Sequence, residues 1–159
     1  MAAVAVQFVV SMRAQFLNAL GGEAGCKRLS EDFYGRVAKD PVLRPLFPGK
    51  SLRCPTEEFA AFLIQFLGGD EEQTQHRWWL SLRESHARFR IGPAERTAWL
   101  KNMGSALEAA PLADETRRAL RDFFSHSSSY GIFSIIRGTR QADGKGALET
   151  QPELCNIFD

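Results

Sequence analysis

The sequence lacks any apolar run long enough to cross a lipid bilayer, and it lacks an excess of charge of either sign. Twenty Lys and Arg residues balance 19 Asp and Glu residues, which leaves a net charge of +1. A transmembrane helix needs about 20 consecutive apolar residues, and a nucleic-acid-binding surface normally needs a basic patch. We therefore expect a soluble protein with neither a membrane nor a nucleic-acid partner.

Cysteine is scarce, and its three copies form no recognisable metal-binding or disulfide pattern. Cys26, Cys54 and Cys155 are widely spaced, and no two of them form a C-x-x-C pair. Free thiols are typical of a reducing compartment, so we expect all three to be free and the protein to be cytoplasmic. Residues 1–14 carry one arginine and no acidic residue, which predicts an N-terminal extension, with organelle targeting as the alternative.

Strand patterns and internal repeats are absent as well, whereas helical periodicity runs through most of the chain. Hydrophobic residues make up 44% of the 159 residues, and 12 residues are Phe, which is enough core material for one domain. We predict an all-α protein with an N-terminal extension over 1–14, a helical domain over 15–138 and a flexible C-terminal tail over 139–159.

Proline, glycine and the spacing of apolar residues predict where the helices begin and end. Leu29, Phe33 and Val37 recur every four residues and predict a helix that starts near Ser30 and stops before Pro41. The same reasoning predicts three more helices, which begin near Pro55, Pro93 and Asp114.

His86 is the residue with the strongest claim to a cofactor. It lies in a short turn between an aromatic segment and the helix that begins at Gly92-Pro93. A haem iron takes one imidazole nitrogen, and the other histidines, His76 and His126, lack a comparable apolar surround. Considered alone, His86 is better explained as a solvated loop histidine, because single histidines in basic turns are common and metal ligands are rare. Tyr34 and Trp99 could donate hydrogen bonds to an iron ligand, or they could be ordinary core residues.

Several segments together resemble one family, the truncated globins of the second group, in order and spacing. They are Gly21-Gly22, Phe33-Tyr34, residues 40–48, residues 62–69, residues 86–91 and Ala98-Trp99-Leu100. The resemblance implies a truncated 2-on-2 globin fold. It also implies a haem, which would be a non-covalent haem b because the sequence has no C-x-x-C-H motif.

The resemblance also assigns roles around the iron. It implies that His86 is the proximal ligand and that Tyr34 and Trp99 line the distal side. There, a phenol and an indole would donate hydrogen bonds to the partly negative outer atom of a dioxygen ligand. Pro55 and Phe59 would stand over the iron.

Other residues would hold the cofactor itself. The resemblance implies that Phe47 packs on the haem face. Ser85 replaces a basic residue that is common in the family, so we expect Arg83 to bind the propionates, with Arg88 and Arg90 as alternatives. These arginines could equally be solvated surface charges. The haem-binding set is completed by Phe59, Phe89, Ile91 and Met103.

The function that follows is reversible binding of dioxygen and of other diatomic ligands such as NO and CO. Slow oxygen release would disfavour bulk oxygen transport. The alternative within the haem class is an oxidoreductase, a nitric oxide dioxygenase or a peroxidase-like enzyme, which would need a reductase or another electron donor as a partner. The alternative outside the haem class is a cofactor-free helical interaction module, with Trp78, Trp79 and the tail as its surface.

Overall fold

The helices of the protein begin and end where glycine and proline interrupt the apolar pattern. The computed structural model describes residues 14–47, 49–68 and 91–128. Within these ranges the chain forms α1 (residues 14–20), α2 (Gly22–Val37), a 3₁₀ turn (Arg44–Leu46), α3 (Arg53–Gly68), α4 (Pro93–Ala109) and α5 (Asp114–Ser127). The described residues contain no strand, so the all-α prediction is confirmed. The predicted domain limits stay a prediction.

The break between α1 and α2 depends on a glycine pair. Gly21 and Gly22 have φ angles of 90° and 70°, which are left-handed values that glycine adopts without a steric penalty. The turn brings Gly25 so close to α1 that a Cβ atom there would lie 1.6 Å from the carbonyl oxygen of Leu20. The predicted helix start near Ser30 is wrong, because α2 begins at Gly22 and Ser30 lies in its middle, fully buried.

The later helix boundaries follow the sequence closely. α2 ends at Val37, three residues before the Asp40-Pro41 step, as expected because the residue before proline disfavours helical backbone. α4 begins at Pro93, and the Glu95 carboxylate accepts a hydrogen bond of 2.7 Å from the Gly92 N–H. This bond satisfies a donor that the first turn of a helix would otherwise leave unpaired.

α2 lies at the centre of the described fold and packs against α3 and α4, while α5 packs against α4. Each helix contributes fully buried side chains to one core, and burying each large one is worth about 1.5–3 kcal/mol. The most deeply buried large side chains are Phe33, Val37, Leu63, Met103, Leu107 and Leu120. This core fixes the relative position of α2, α3 and α4.

Two cysteines can be compared with the expectation of free thiols. Cys26 is free and buried in α2, as expected. Cys54, in the first turn of α3, is disulfide-bonded, so the prediction is wrong for this residue. Sequence spacing indicates nothing about which cysteines the fold brings together. None of the described helices is both long and apolar enough to span a membrane.

Candidate functional site

The candidate site is a cluster of aromatic rings where α2, α3 and α4 meet. Phe33 lies at its centre with 1% of its surface exposed. Its ring centre is 5.0 Å from that of Tyr34, 5.6 Å from that of Phe59 and 5.3 Å from that of Trp99. Three helices therefore bring together three of the four residues that the sequence assigns to the distal side.

Tyr34 contributes a hydroxyl group to this cluster. Its half-buried ring makes edge contacts with Phe33, Phe47 and Phe59. Within the described ranges, no hydrogen bond engages the hydroxyl. Burial, and secondarily the negative charge of Glu58, raise the pKa of Tyr34 above its ordinary value of 10.0. The side chain therefore stays a neutral phenol, able to donate a hydrogen bond.

Trp99 contributes a second donor from the opposite wall. Its half-buried ring, on α4, lies 5.3 Å from Phe33, 6.4 Å from Phe59 and 5.7 Å from Phe124, centre to centre. Its indole N–H likewise has no hydrogen-bond partner among the residues that the structure describes. Neither donor atom is among the buried polar atoms without a partner in the described residues, so both are accessible, and two accessible donors in one aromatic cluster indicate a place for a polar ligand.

Phe47 reaches the cluster from the corner between α2 and α3. Its ring centre lies 5.8 Å from that of Tyr34. The backbone there is held by Arg44, whose Nη1 donates to the Phe47 carbonyl oxygen at 2.6 Å and whose Nη2 donates to that of Gly49 at 2.7 Å. Arg44 was not singled out in the sequence, because nothing in the local pattern shows that a guanidinium folds back onto its own loop.

The first turn of α3 carries Pro55, the fourth distal candidate, which is half-buried. A hydrogen bond of 2.6 Å from Ser30 Oγ to the Thr56 carbonyl oxygen ties this turn to α2. Thr56 Oγ1 in turn donates to the Leu52 carbonyl oxygen at 2.6 Å. Buried Ser30 therefore fixes the distance between α2 and the start of α3. The sequence pattern instead predicts that this serine lies at the start of a helix.

The remaining candidates have different outcomes. Met103 lies four residues beyond Trp99 but is buried in the core, with 1% exposure. Ile91 is half-buried directly before α4. His86, Arg83 and Phe89 lie outside the described residues, as do the alternatives at 88 and 90. Among the residues that the structure describes, no group of three or more His, Cys, Asp or Glu could hold a metal ion.

The donor set in this aromatic cluster fits a haem pocket. A flat apolar cofactor needs aromatic and aliphatic walls, and its iron ligand needs a few hydrogen-bond donors opposite the axial histidine. The rings of Phe33, Phe47 and Phe59 can supply the walls, and Tyr34 and Trp99 can supply the donors.

Comparison with known proteins places this helical fold among the globins. The profile of the bacterial-like globin family matches residues 15–129. The chain is similar to the group 2 truncated hemoglobin YjbI of Bacillus subtilis, with 34% identity over 99 residues, which cover 62% of this chain and 74% of that protein.

Solved structures agree with this match. The hemoglobin of the thermophilic phototrophic bacterium Chloroflexus aurantiacus superposes with a TM-score of 0.63 and 38% identity, over 74% of this chain and 96% of that chain. A truncated haemoglobin of Bacillus subtilis, described as oxygen-avid, superposes with a TM-score of 0.62 and 31% identity, over 74% of this chain and 98% of that one. The chain belongs to the bacterial-like globin family and is a haem-binding truncated globin of the second group. The resemblance seen in the sequence is confirmed.

Proposed function

We propose that this globin binds dioxygen and other diatomic ligands reversibly, with a haem b as its cofactor and His86 as the axial ligand. The observation that carries the proposal is the pair of donors, the Tyr34 hydroxyl and the Trp99 N–H, without partners in the described part of the aromatic cluster. The similarity to an oxygen-avid truncated haemoglobin supports the same function.

Haem iron supplies the bond to the diatomic ligand, and the chain supplies its surroundings. Phe33 and Phe59 surround the two donors with apolar rings, and an apolar surround strengthens a hydrogen bond by lowering the local dielectric constant. Tyr34 and Trp99 donate to the partly negative outer atom of dioxygen. They gain much less from CO, which carries little charge on that atom. The site therefore favours dioxygen over CO relative to a purely apolar pocket.

Five further residues that the structure describes complete the proposed pocket: Phe47, Pro55, Phe59, Ile91 and Met103. Arg83 and Phe89, which lie outside the described residues, are also proposed to bind the cofactor. The absence of a C-x-x-C-H motif supports non-covalent haem b, and acid extraction that leaves haem on the protein would contradict that assignment.

The proposal is tested by reconstituting the purified protein with haemin and recording its absorbance. We expect a Soret band in the original protein and a weakened or shifted band in His86→Ala. The matched control is His126→Ala, because His126 is exposed on α5 with its Nδ1 2.8 Å from the Asp122 carbonyl oxygen. Equal spectra for the two variants would overturn the assignment of His86.

A further inference from the structure

The inference concerns a hydrogen bond that connects the two walls of the candidate site. Asn102 Nδ2, on α4, donates to Asp40 Oδ2, in the corner after α2, at 2.8 Å. The two residues are 62 positions apart in the sequence. This contact is called the Asp40–Asn102 bridge.

On one side, the bridge holds the corner that carries Phe47. Asp40 Oδ1 accepts hydrogen bonds of 2.9 Å from the backbone N–H groups of Val42 and Leu43. Leu43 is buried with 3% exposure, and the 3₁₀ turn that follows it ends at Phe47. Asp40 therefore determines where this corner starts, and both of its carboxylate oxygens accept hydrogen bonds from groups of the protein.

On the other side, the bridge holds α4 next to Trp99. The same Asn102 Nδ2 donates to the Ala98 carbonyl oxygen at 2.8 Å. This bond holds the Asn102 side-chain amide next to the helix turn that carries Trp99. The rings of Phe47 and Trp99 do not contact each other in the described contacts. Phe47 packs on Tyr34, whereas Trp99 packs on Phe33 and Phe59. The bridge is thus a direct polar link between their two elements.

We propose that Asp40 and Asn102 are positioning residues that set the distance between the Phe47 wall and the Trp99 wall, and hence the strength of the hydrogen bond from Trp99 to a diatomic ligand. This inference rests on the proposed function. Small displacements matter because a hydrogen bond weakens steeply when its geometry departs from linearity, and a misplacement of about 1 Å can change a rate by about a hundredfold.

The surroundings of the bridge allow its polarity to be reversed without burying an unpaired charge. Asp40 and Asn102 are both half-buried. Asp40 borders an open cleft of about 540 Å³ whose lining also includes Val42 and Lys101. Lys101 is a cation that acts on the Asp40 carboxylate, so a positive charge lies near the bridge in the original protein.

Three variants separate positioning from folding. In Asp40→Asn, the amide oxygen of the new side chain stays with the turn and its Nδ2 faces Asn102 Nδ2, so a donor faces a donor. Asn102 could accept only by turning its amide over, which would break its bond to the Ala98 carbonyl oxygen. Asn102→Asp places two carboxylates opposite each other and also loses the bond to Ala98. The double variant D40N/N102D likewise lacks the bond to Ala98, but it restores one donor and one acceptor across the bridge with the same net charge as the original protein, and asparagine is well tolerated at such turns. Asn102→Asp is therefore its matched control.

We expect oxygen to dissociate at least about threefold faster in each single variant, because the proposed hydrogen bond from Trp99 to the ligand is partly lost. In the double variant, oxygen should dissociate at least about twofold more slowly than in Asn102→Asp, because both lack the Ala98 bond and only the double variant has a donor opposite an acceptor across the bridge. In the haem-free protein, the NMR resonance of the Trp99 indole N–H should shift in both single variants and move back toward its original position in the double variant.

Two outcomes would overturn the inference. One is a lower melting temperature in the single variants with an unchanged oxygen dissociation rate and an unchanged indole resonance, which would make the bridge purely structural. The other is a double variant in which oxygen dissociates as fast as it does in Asn102→Asp. If the original protein does not take up haem, the proposed function fails instead. The indole resonance would still decide whether the bridge positions Trp99.

Discussion

Removing the Tyr34 hydroxyl is the most direct test of the candidate site. Tyr34→Phe keeps the ring, and with it the contacts to Phe33, Phe47 and Phe59 at 5.0, 5.8 and 6.2 Å. Because the hydroxyl has no partner in the described part of the protein, the substitution breaks no hydrogen bond there. Its effects on stability and on ligand binding should therefore be separate.

The expected magnitude follows from these contacts. A hydrogen bond from a phenol to a partly charged ligand in a water-poor site is worth about 1–3 kcal/mol, which corresponds to about 5- to 150-fold in the oxygen dissociation rate constant. The melting temperature should stay the same or rise slightly, because an unpaired polar group is removed from a half-buried position.

The assay is stopped-flow displacement of oxygen from the ferrous protein, with CO dissociation as the internal control. Oxygen should leave the variant faster, whereas CO, with little charge on its outer atom, should leave at nearly the original rate. Equal acceleration of both ligands would indicate a widened pocket. An unchanged oxygen rate would refute the placement of the Tyr34 hydroxyl beside the ligand.

Three further predictions concern the scaffold of the site. Gly25→Ala should unfold at a clearly lower temperature and lose about 3 kcal/mol or more, because the new Cβ would lie 1.6 Å from the Leu20 carbonyl oxygen; an unchanged melting curve would contradict this close approach. Ser30→Ala should lose about 1–2 kcal/mol in urea unfolding, since it removes a buried bond to the Thr56 carbonyl oxygen, and a loss below about 0.3 kcal/mol would make that bond negligible. In an ultraviolet titration Tyr34 should ionise only well above pH 10.0. The folded protein then holds this proton more tightly than the unfolded chain, so the free energy of unfolding should fall as the pH rises above 10.0. The Tyr34 signal is identified as the one that Tyr34→Phe removes, and ionisation of that signal with an ordinary tyrosine pKa would argue against burial.

The sequence predicts the helices well where their boundaries depend on local chemistry. Pro41 and Pro93 restrict their own backbone and that of the preceding residue, so the end of α2 and the start of α4 could be recognised without the fold. Ser30 was misread because serine is a favoured helix cap, whereas here its hydroxyl bonds to a different helix.

The candidate site is predictable only in part. Tyr34 and Trp99 were identified from their place in a family pattern, and the fold brings both against Phe33. Arg44 and the pair Asp40 and Asn102 were missed as parts of the site. Hydrogen bonds from side chains to distant backbone or to another helix leave no periodic signal in the sequence, and they become visible only when the elements are packed.

The central place of Phe33 means that the two donors are not independent. Its ring touches both Tyr34 and Trp99, so any substitution that tilts it moves a phenol and an indole at once. Gas affinity in this globin can therefore be retuned by a residue that never meets the gas. Evolution along this route would leave both polar groups in place while oxygen retention drifts up or down.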